Sequence, residues 1–301
     1  MRSNNLSRLV KIIALLLCTS GLFWLGFNLV ARYFRIQQLQ EASQLLAKQE
    51  YSAAIAAYNQ LLQTGTARPH LLWINRGYAF AGLDRYDEML QSCSTATEVN
   101  PQAAFAWNCR GEAFYHLSQN EAALESFERA IALYPQNATF WLNKSQVLAR
   151  LQRHEAAIAA IDRAIKLLSR ARLRNLFDRR LRAIAFEQQG QSLLETNRKQ
   201  QALAAFEQSL EYAPSYLAAQ QGKGIALYRL NRHDLASAIF QQILQRNDLT
   251  PEQQVINLLY QGISLCQIQN TAAAEHALNQ VLQLATDDQV RAIAKAGCGI
   301  R

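Results

Sequence analysis

The chain has 301 residues, of which 50% are hydrophobic and 18% are charged, and it contains only 12 glycines and 5 prolines. This composition excludes a disordered chain and favours helices joined by short turns. The net charge of +8 is local: residues 1–35 contribute +5 and residues 162–182 contribute +6, which leaves −3 for the remainder and excludes a uniformly basic surface that coats nucleic acid.

An uncharged, largely apolar run covers residues 12–30 near the N-terminus. As a helix, its 19 residues would be roughly 28 Å long, which is about the thickness of the hydrocarbon core of a bilayer. Arg8 and Lys11 precede the run and Arg32 follows it, as expected at the boundaries of a membrane span. The sequence therefore predicts that residues 1–34 comprise a short tail and one transmembrane helix.

The fate and the orientation of this segment stay open. A cleaved signal peptide would need a shorter apolar core and small residues before the cleavage site, whereas Leu29 stands two positions before Ala31, the best candidate. We therefore expect a single-pass anchor, and an exported soluble module with a cleaved leader is the alternative. The basic flanks differ little, and their slight excess on the N-terminal side favours a main domain outside the cytoplasm.

An internal repeat dominates the rest of the chain. Trp73, Trp107 and Trp141 recur at intervals of 34 residues. Other positions share this interval, and the matching sets are Gly77, Gly111 and Ser145; Phe80, Phe114 and Leu148; Met89, Ala123 and Ala157; Cys93, Phe127 and Ile161; and Ala96, Ala130 and Ala164. An interval that so many positions share indicates one structural unit used several times.

This pattern resembles the tetratricopeptide repeat, a helix–turn–helix unit of 34 residues with characteristic Trp, Gly, aromatic, Ala and Pro positions. The resemblance is strongest in the unit at 104–137, and it implies an all-α, right-handed α-solenoid over residues 35–288, preceded by the transmembrane helix. About seven units are predicted, near 35–68, 70–103, 104–137, 138–169, 183–216, 217–250 and 255–288. The first of them lacks the Trp and the Gly.

Two segments depart from the repeat. Residues 170–182 are an insertion that contains six arginines and would divide the array into four units and three units. The helices on either side are longer, or a turn bulges out; the sequence does not decide between these. Residues 289–301 read as a capping helix and a tail, because Gln289–Ala296 has a polar face and Gly297 would end the helix.

The residue types that carry catalysis or bind metals are scattered. The five cysteines are odd in number, irregularly spaced and without a CxxC motif, so we expect neither a disulfide framework nor a zinc site, and we expect Cys93 to be a small buried residue. No histidine pair has a spacing suited to a metal, and no nucleophile or phosphate-loop motif occurs. The sequence thus predicts no catalytic, cofactor or metal site, and an enzyme is the remote alternative.

Binding of another protein is the function that the resemblance implies. In this family the first helix of each unit lines the concave face, and Asn, Gln and Tyr on that face would suit an extended peptide. The candidate residues are Asn75, Tyr78, Asn108, Glu112, Tyr115, Asn143, Gln146, Glu187, Gln191, Gln221, Tyr228 and Tyr260. A solvated groove of ordinary polar residues is the competing interpretation for each of them.

The arginine-rich insertion is a second candidate contact surface. It comprises Arg170, Arg172, Arg174, Arg179, Arg180 and Arg182. An acidic protein or anionic lipid headgroups would be attracted to it, and a solvated helix face is the alternative. Nucleic acid is an improbable partner because the rest of the repeat region is net acidic. Together these features predict a membrane-anchored scaffold that binds protein partners. The chain also resembles membrane-anchored repeat proteins that assist assembly of membrane complexes, and this resemblance implies such a role here.

Overall fold

The computed structural model describes residues 23–64, 68–170 and 176–299, and these contain fifteen α-helices, one short 3-10 helix and no β-strand. The chain divides into two compact units, with the boundary between Tyr134 and Pro135. Unit 1 contains α1 (Phe23–Ala47), α2 (Tyr51–Gln63), α3 (Pro69–Ala81), α4 (Tyr86–Val99), α5 (Ala104–His116) and α6 (Asn120–Leu133). The all-α prediction is therefore confirmed for the described residues.

Unit 2 holds the remaining helices. They are α7 (Ala138–Arg150), α8 (His154–Arg170), α9 (Leu176–Glu195), α10 (Lys199–Tyr212), α11 (Leu217–Arg229), α12 (His233–Leu244), α13 (Pro251–Gln267), α14 (Thr271–Leu284) and α15 (Asp288–Ala296), followed by the 3-10 helix Gly297–Gly299. Helices α8 and α9 extend into the predicted insertion, so longer flanking helices absorb most of it. Helix α13 starts before the predicted residue 255, because Thr250 and Gln253 form a capping box at its N-terminus.

No helix in the described part of the chain is both long enough and apolar enough to cross a membrane. Most of the predicted span, residues 12–30, lies outside the described residues. Helix α1 begins within that span, at Phe23, and continues without a break to Ala47, where it packs against α2.

The helices pair into seven hairpins in the described residues, from α1–α2 to α13–α14. Each hairpin turn contains a residue with positive φ, and the seven residues are Gln49, Asp84, Ser118, Gln152, Asn197, Asn231 and Gln269. The next backbone N–H donates to a carbonyl five residues earlier, as Gln119 does to Phe114 at 2.9 Å. This is the Schellman ending of a helix, formed here without glycine. The seven hairpin turns are alike because the first helix of each hairpin ends in this same way.

The recurrent tryptophan has a structural reason. Trp107 Nε1 donates to the carbonyl of Pro101 at 2.9 Å, and Trp141 Nε1 donates to that of Pro135 at the same distance. Gln220 occupies the corresponding position in a later repeat, and its Nε2 donates to the carbonyl of Pro214 at 2.9 Å. Each donor satisfies a carbonyl in the turn before its own helix, which fixes the entry of that helix.

The recurrent glycine also has a structural reason. An ideal Cβ on Gly111 would lie 2.7 Å from Cε1 of Phe127, which stands sixteen residues later on the second helix of the same hairpin. Gly224 has the same relation to Phe240, with 2.6 Å to Cζ. The missing side chain leaves room for the ring, so the hairpin closes over one aromatic group.

Ala123→Leu should lower the free energy of unfolding by about 1–3 kcal/mol, because Ala123 on α6 is fully buried and the added carbons would overpack its hairpin. Urea denaturation followed by circular dichroism would measure the change. Ala132→Leu is the matched control, since Ala132 is exposed on the same helix and its enlargement should have little effect. Equal stabilities of the two variants would contradict the packing of this hairpin.

Candidate functional site

Three predicted face residues of unit 1 form a hydrogen-bonded cluster between α3 and α5. Asn108 Nδ2 donates to Glu112 Oε1 at 2.6 Å and lies 3.4 Å from the Tyr78 hydroxyl oxygen. Asn108 is only 3% exposed, whereas Tyr78 and Glu112 are half-buried. Burial and the nearby Glu112 carboxylate raise the pKa of Tyr78, so its hydroxyl stays protonated. Asn108 therefore orients its two neighbours and offers little surface of its own.

The other predicted face residues of unit 1 flank this cluster. Asn75 on α3 and Tyr115 on α5 are half-buried, so part of each side chain is accessible. The Tyr115 ring meets the His116 ring edge-on at 5.6 Å, and His116 stacks on Tyr86 at 4.3 Å. The resulting face combines carboxylate, amide and phenol groups, which can bond to a peptide backbone and pack against its side chains.

In unit 2, Glu187 on α9 lies inside the structure. It is 5% exposed, accepts a hydrogen bond from Gln191 and is hydrogen-bonded to Tyr216, a residue that the sequence did not single out. Burial raises the pKa of Glu187 to about 7, although these two hydrogen bonds lower it in part. Burial and the charge of Glu187 raise the pKa of Tyr216 to about 12. Glu187 is thus a buried acid behind the face.

The two predicted tyrosines of unit 2 lie together. Tyr228 on α11 meets Tyr260 on α13 edge-on, with ring centres 5.9 Å apart. Tyr260 also stacks on the buried Phe240 at 5.4 Å, which holds its ring in place. Asn143, Gln146 and Gln221 are half-buried on α7 and α11, and Gln191 is exposed on α9. A rigid aromatic pair with accessible amides is a suitable surface for a protein partner.

The predicted basic patch is only partly described. Arg172 and Arg174, and the side chain of Arg170, fall outside the described residues. Arg179 and Arg180 are exposed on α9. Arg182 differs, because its guanidinium donates to the carbonyl of Leu168 and lies 5.6 Å from the centre of the Tyr212 ring. Arg182 therefore ties the end of α8 to α9 and α10, and among the described arginines of the patch Arg179 and Arg180 carry the accessible charge.

The expectation that the cysteines form no disulfide is wrong. Cys93 pairs with Cys109, with Cα atoms 5.6 Å apart, and Cys266 pairs with Cys298 at 4.9 Å. Both distances lie in the normal range for a disulfide. The first bond joins the adjacent hairpins α3–α4 and α5–α6, and the second joins α13 to the 3-10 helix beyond α15. Cys93 is buried as predicted, but its partner is sixteen residues away on the next helix, which local spacing rules do not detect.

The described residues contain no metal-binding cluster, because no group of three or more His, Cys, Asp or Glu side chains among them could hold a metal ion. The arrangement instead offers polar and aromatic surfaces on rigid helices, which suits recognition.

Comparison with known proteins agrees with the repeat pattern. The tetratricopeptide-repeat family model matches residues 90–138, 110–172 and 187–251. Among curated proteins, none matches the sequence significantly.

Several solved structures resemble the described helices. PilW, a widely conserved type IV pilus biogenesis factor, has a TM-score of 0.66 and 19% identity over 76% of this chain and 99% of its own. PilF of Pseudomonas aeruginosa has a TM-score of 0.63 and 18% identity over 75% and 96%. YrrB, described as a TPR protein with an unusual peptide-binding site, has a TM-score of 0.52 and 16% identity over 68% and 98%. The chain therefore carries tetratricopeptide repeats, with the all-α solenoid architecture of such proteins.

Proposed function

We propose that this protein is a membrane-anchored scaffold that binds protein partners through the first helices of its repeats. The observation that carries this proposal is the preorganised first-helix surface, in which buried groups such as Asn108 hold accessible ones such as Glu112 in place. Preorganised side chains lose little entropy when a partner binds. PilW, which shares the fold, is a type IV pilus biogenesis factor, and by analogy the partners here belong to an assembling membrane complex.

The anchor is proposed from the sequence and from the course of α1. Helix α1 begins inside the apolar run and is itself the first helix of the first hairpin, so an anchor would hold the repeats close to the bilayer. Phe34, Ile36 and Leu39 are exposed on the part of α1 that follows the run. The runner-up function is an exported soluble binding module whose leader is cleaved.

We further propose that the repeats lie outside the cytoplasm, and the two disulfides support this location. Disulfides form and persist in oxidising compartments and are rare in the cytosol. The slight excess of basic residues before the apolar run favours the same orientation. Cys18 lies in the predicted span and has no part in either bond.

We expect four of the five cysteines to resist alkylation when the protein is isolated under non-reducing conditions. The measurement is the mass added by a maleimide reagent in denaturant, which exposes the buried Cys93 and Cys109. One added group without reductant and five after reduction are expected. Five groups without reductant would contradict both the disulfides and the proposed compartment.

The binding proposal is tested by crosslinking and pull-down from intact membranes. The baits are the full chain, the chain without residues 1–35, and a face variant with Tyr115→Ala, Gln146→Ala and Gln221→Ala. The control variant carries Gln91→Ala and Gln208→Ala, at exposed positions on the second helices α4 and α10. Integral-membrane partners should bind the full chain and the control variant but not the face variant.

Other outcomes of this experiment have definite meanings. Partners that bind the face variant as well as they bind the full chain would refute the first-helix surface. Soluble partners captured equally with and without residues 1–35 would favour the exported module. If the full chain and the chain without residues 1–35 capture the same membrane partners, the anchor only raises the local concentration.

The exposed arginine pair is proposed as a second contact, with anionic lipid as its ligand. Each basic residue near an anionic surface contributes about 1 kcal/mol, so Arg179→Gln with Arg180→Gln should weaken binding to phosphatidylserine-containing vesicles roughly tenfold or more. Flotation of vesicles with and without the anionic lipid measures this, with the chain that lacks residues 1–35, so that the proposed anchor does not itself bind the vesicles. Unchanged flotation of the variant would leave the pair as a solvated helix face.

A further inference from the structure

A groove lined by glutamines lies in unit 2 between α12, α13 and α14. Its volume is about 550 Å³, which is in the usual range for ligand sites. Each of the three helices contributes two of the groove's six glutamines. They are Gln241 and Gln245 at the end of α12, Gln254 and Gln261 on α13, and Gln280 and Gln283 on α14. None of them belongs to the predicted first-helix face, so this is a separate surface.

The helical spacing explains how the amides collect there. Gln241 and Gln245 are four residues apart and Gln280 and Gln283 are three apart, and such pairs share one face of a helix. Apart from Gln280, whose Nε2 lies 3.2 Å from Nε2 of His276, these amides have no hydrogen-bond partner among the described residues. The groove therefore presents donors and acceptors that the fold itself does not use.

The chemistry of the lining restricts the ligand. None of the described residues that line the groove is charged, so none of them would compensate a charged group that lost its water. Each amide both donates and accepts, which matches a polypeptide backbone, whose N–H and C=O groups alternate along an extended strand. Leu258 is buried at the floor and Leu284 is exposed at the rim, and both offer apolar contact for a side chain. In the part of the chain that the structure describes, the groove lining contains no aromatic ring that could stack against a sugar.

We infer that this groove binds an uncharged, extended segment of a partner protein, in addition to the first-helix surface proposed above. The glutamine amides hold the backbone of the segment, and the leucines accept an apolar side chain. A chain with both surfaces holds two segments at once, as a scaffold that joins components requires.

An array of immobilised twelve-residue peptides, in matched uncharged, acidic and basic sets, tests the inference with the full chain in detergent. A subset of uncharged peptides should bind. The groove variant Gln254→Met with Gln283→Met keeps the side-chain length and removes two amides, and it should weaken this binding about tenfold. The control variant Gln91→Met with Gln208→Met should bind as the unmodified chain does, and thermal melts of both variants should match that of the unmodified chain.

Three results would overturn the inference. They are an absence of binding to every uncharged peptide, a preference for a charged set, and retention of binding by the groove variant. The first-helix face variant separates this proposal from the preceding one. A peptide that binds the groove variant but not the face variant occupies the first-helix surface. A peptide that binds the face variant but not the groove variant occupies the groove.

Discussion

Replacing Phe206 with alanine should lower the free energy of unfolding by about 3–5 kcal/mol, the usual cost of removing a buried phenylalanine ring. Phe206 on α10 is fully buried. Its ring lies against two glycines, since an ideal Cβ would come within 2.7 Å of Phe206 Cε1 from Gly190 and within 2.2 Å from Gly222. The ring thus fills the space that two absent side chains leave on α9 and α11. Its removal would open a cavity between three helices.

Urea denaturation followed by circular dichroism measures this effect on the transition of unit 2. Leu235→Ala is the control, because Leu235 is an exposed hydrophobic residue on α12 and its truncation should cost far less.

Gly222→Ala alone should destabilise by overpacking. In the double variant the new methyl group would enter the cavity left by the ring, so the two effects should be less than additive. Strict additivity would show that the ring and the glycine do not share this space.

The repeat could be predicted from the sequence because its signals are local. The tryptophan interval located the first helices, and the structure adds that the indole N–H binds the carbonyl of the preceding proline. That hydrogen bond also explains why Gln220 stands at a tryptophan position, since an amide N–H can donate in the same way. The tryptophan position of the repeat thus corresponds to a side-chain N–H that donates to the preceding proline carbonyl, and glutamine can supply the same donor.

The candidate face was predicted less fully, because periodicity gives the side of a helix but not the depth of a residue. Asn108 and Glu187 lie on the predicted helices, yet both are buried and act behind the surface. Their depth depends on neighbouring hairpins, such as the one that supplies Tyr216 to Glu187. The disulfides were missed for the same reason, since Cys266 and Cys298 are 32 residues apart and meet only when the C-terminal helix folds back.

The glutamine groove had no sequence signal at all. Glutamine is a common residue on exposed helix faces, and six of them spread over residues 241–283 form no motif. Only the packing of α12, α13 and α14 brings their amides to one place. A binding surface of this kind follows from tertiary structure, whereas the tryptophan and glycine positions follow from the repeat.

The buried Glu187 makes the stability of the protein depend on pH. Its pKa is about 7 in the folded chain against a usual 4.5, because burial disfavours the carboxylate. Between pH 4.5 and 7 the folded state binds a proton at Glu187 that the unfolded state has lost, so this group makes stability fall as the pH rises. Above pH 7 both states are ionised, and the cost of the buried carboxylate reaches about 3 kcal/mol and stays constant.

Glu187→Gln should remove this dependence. The variant should unfold at about the same denaturant concentration as the unmodified chain at pH 4.5, and it should be more stable by up to about 3 kcal/mol at pH 8. The neutral amide keeps an oxygen that accepts from Gln191 or Tyr216, so most of the local geometry is retained. Glu211→Gln, at an exposed position on α10, is the control and should leave the pH profile unchanged. A variant that is less stable than the unmodified chain at pH 8 would mean that the hydrogen bonds to the carboxylate outweigh the cost of burying it, and that Glu187 is a structural anion rather than a strained acid behind the binding face.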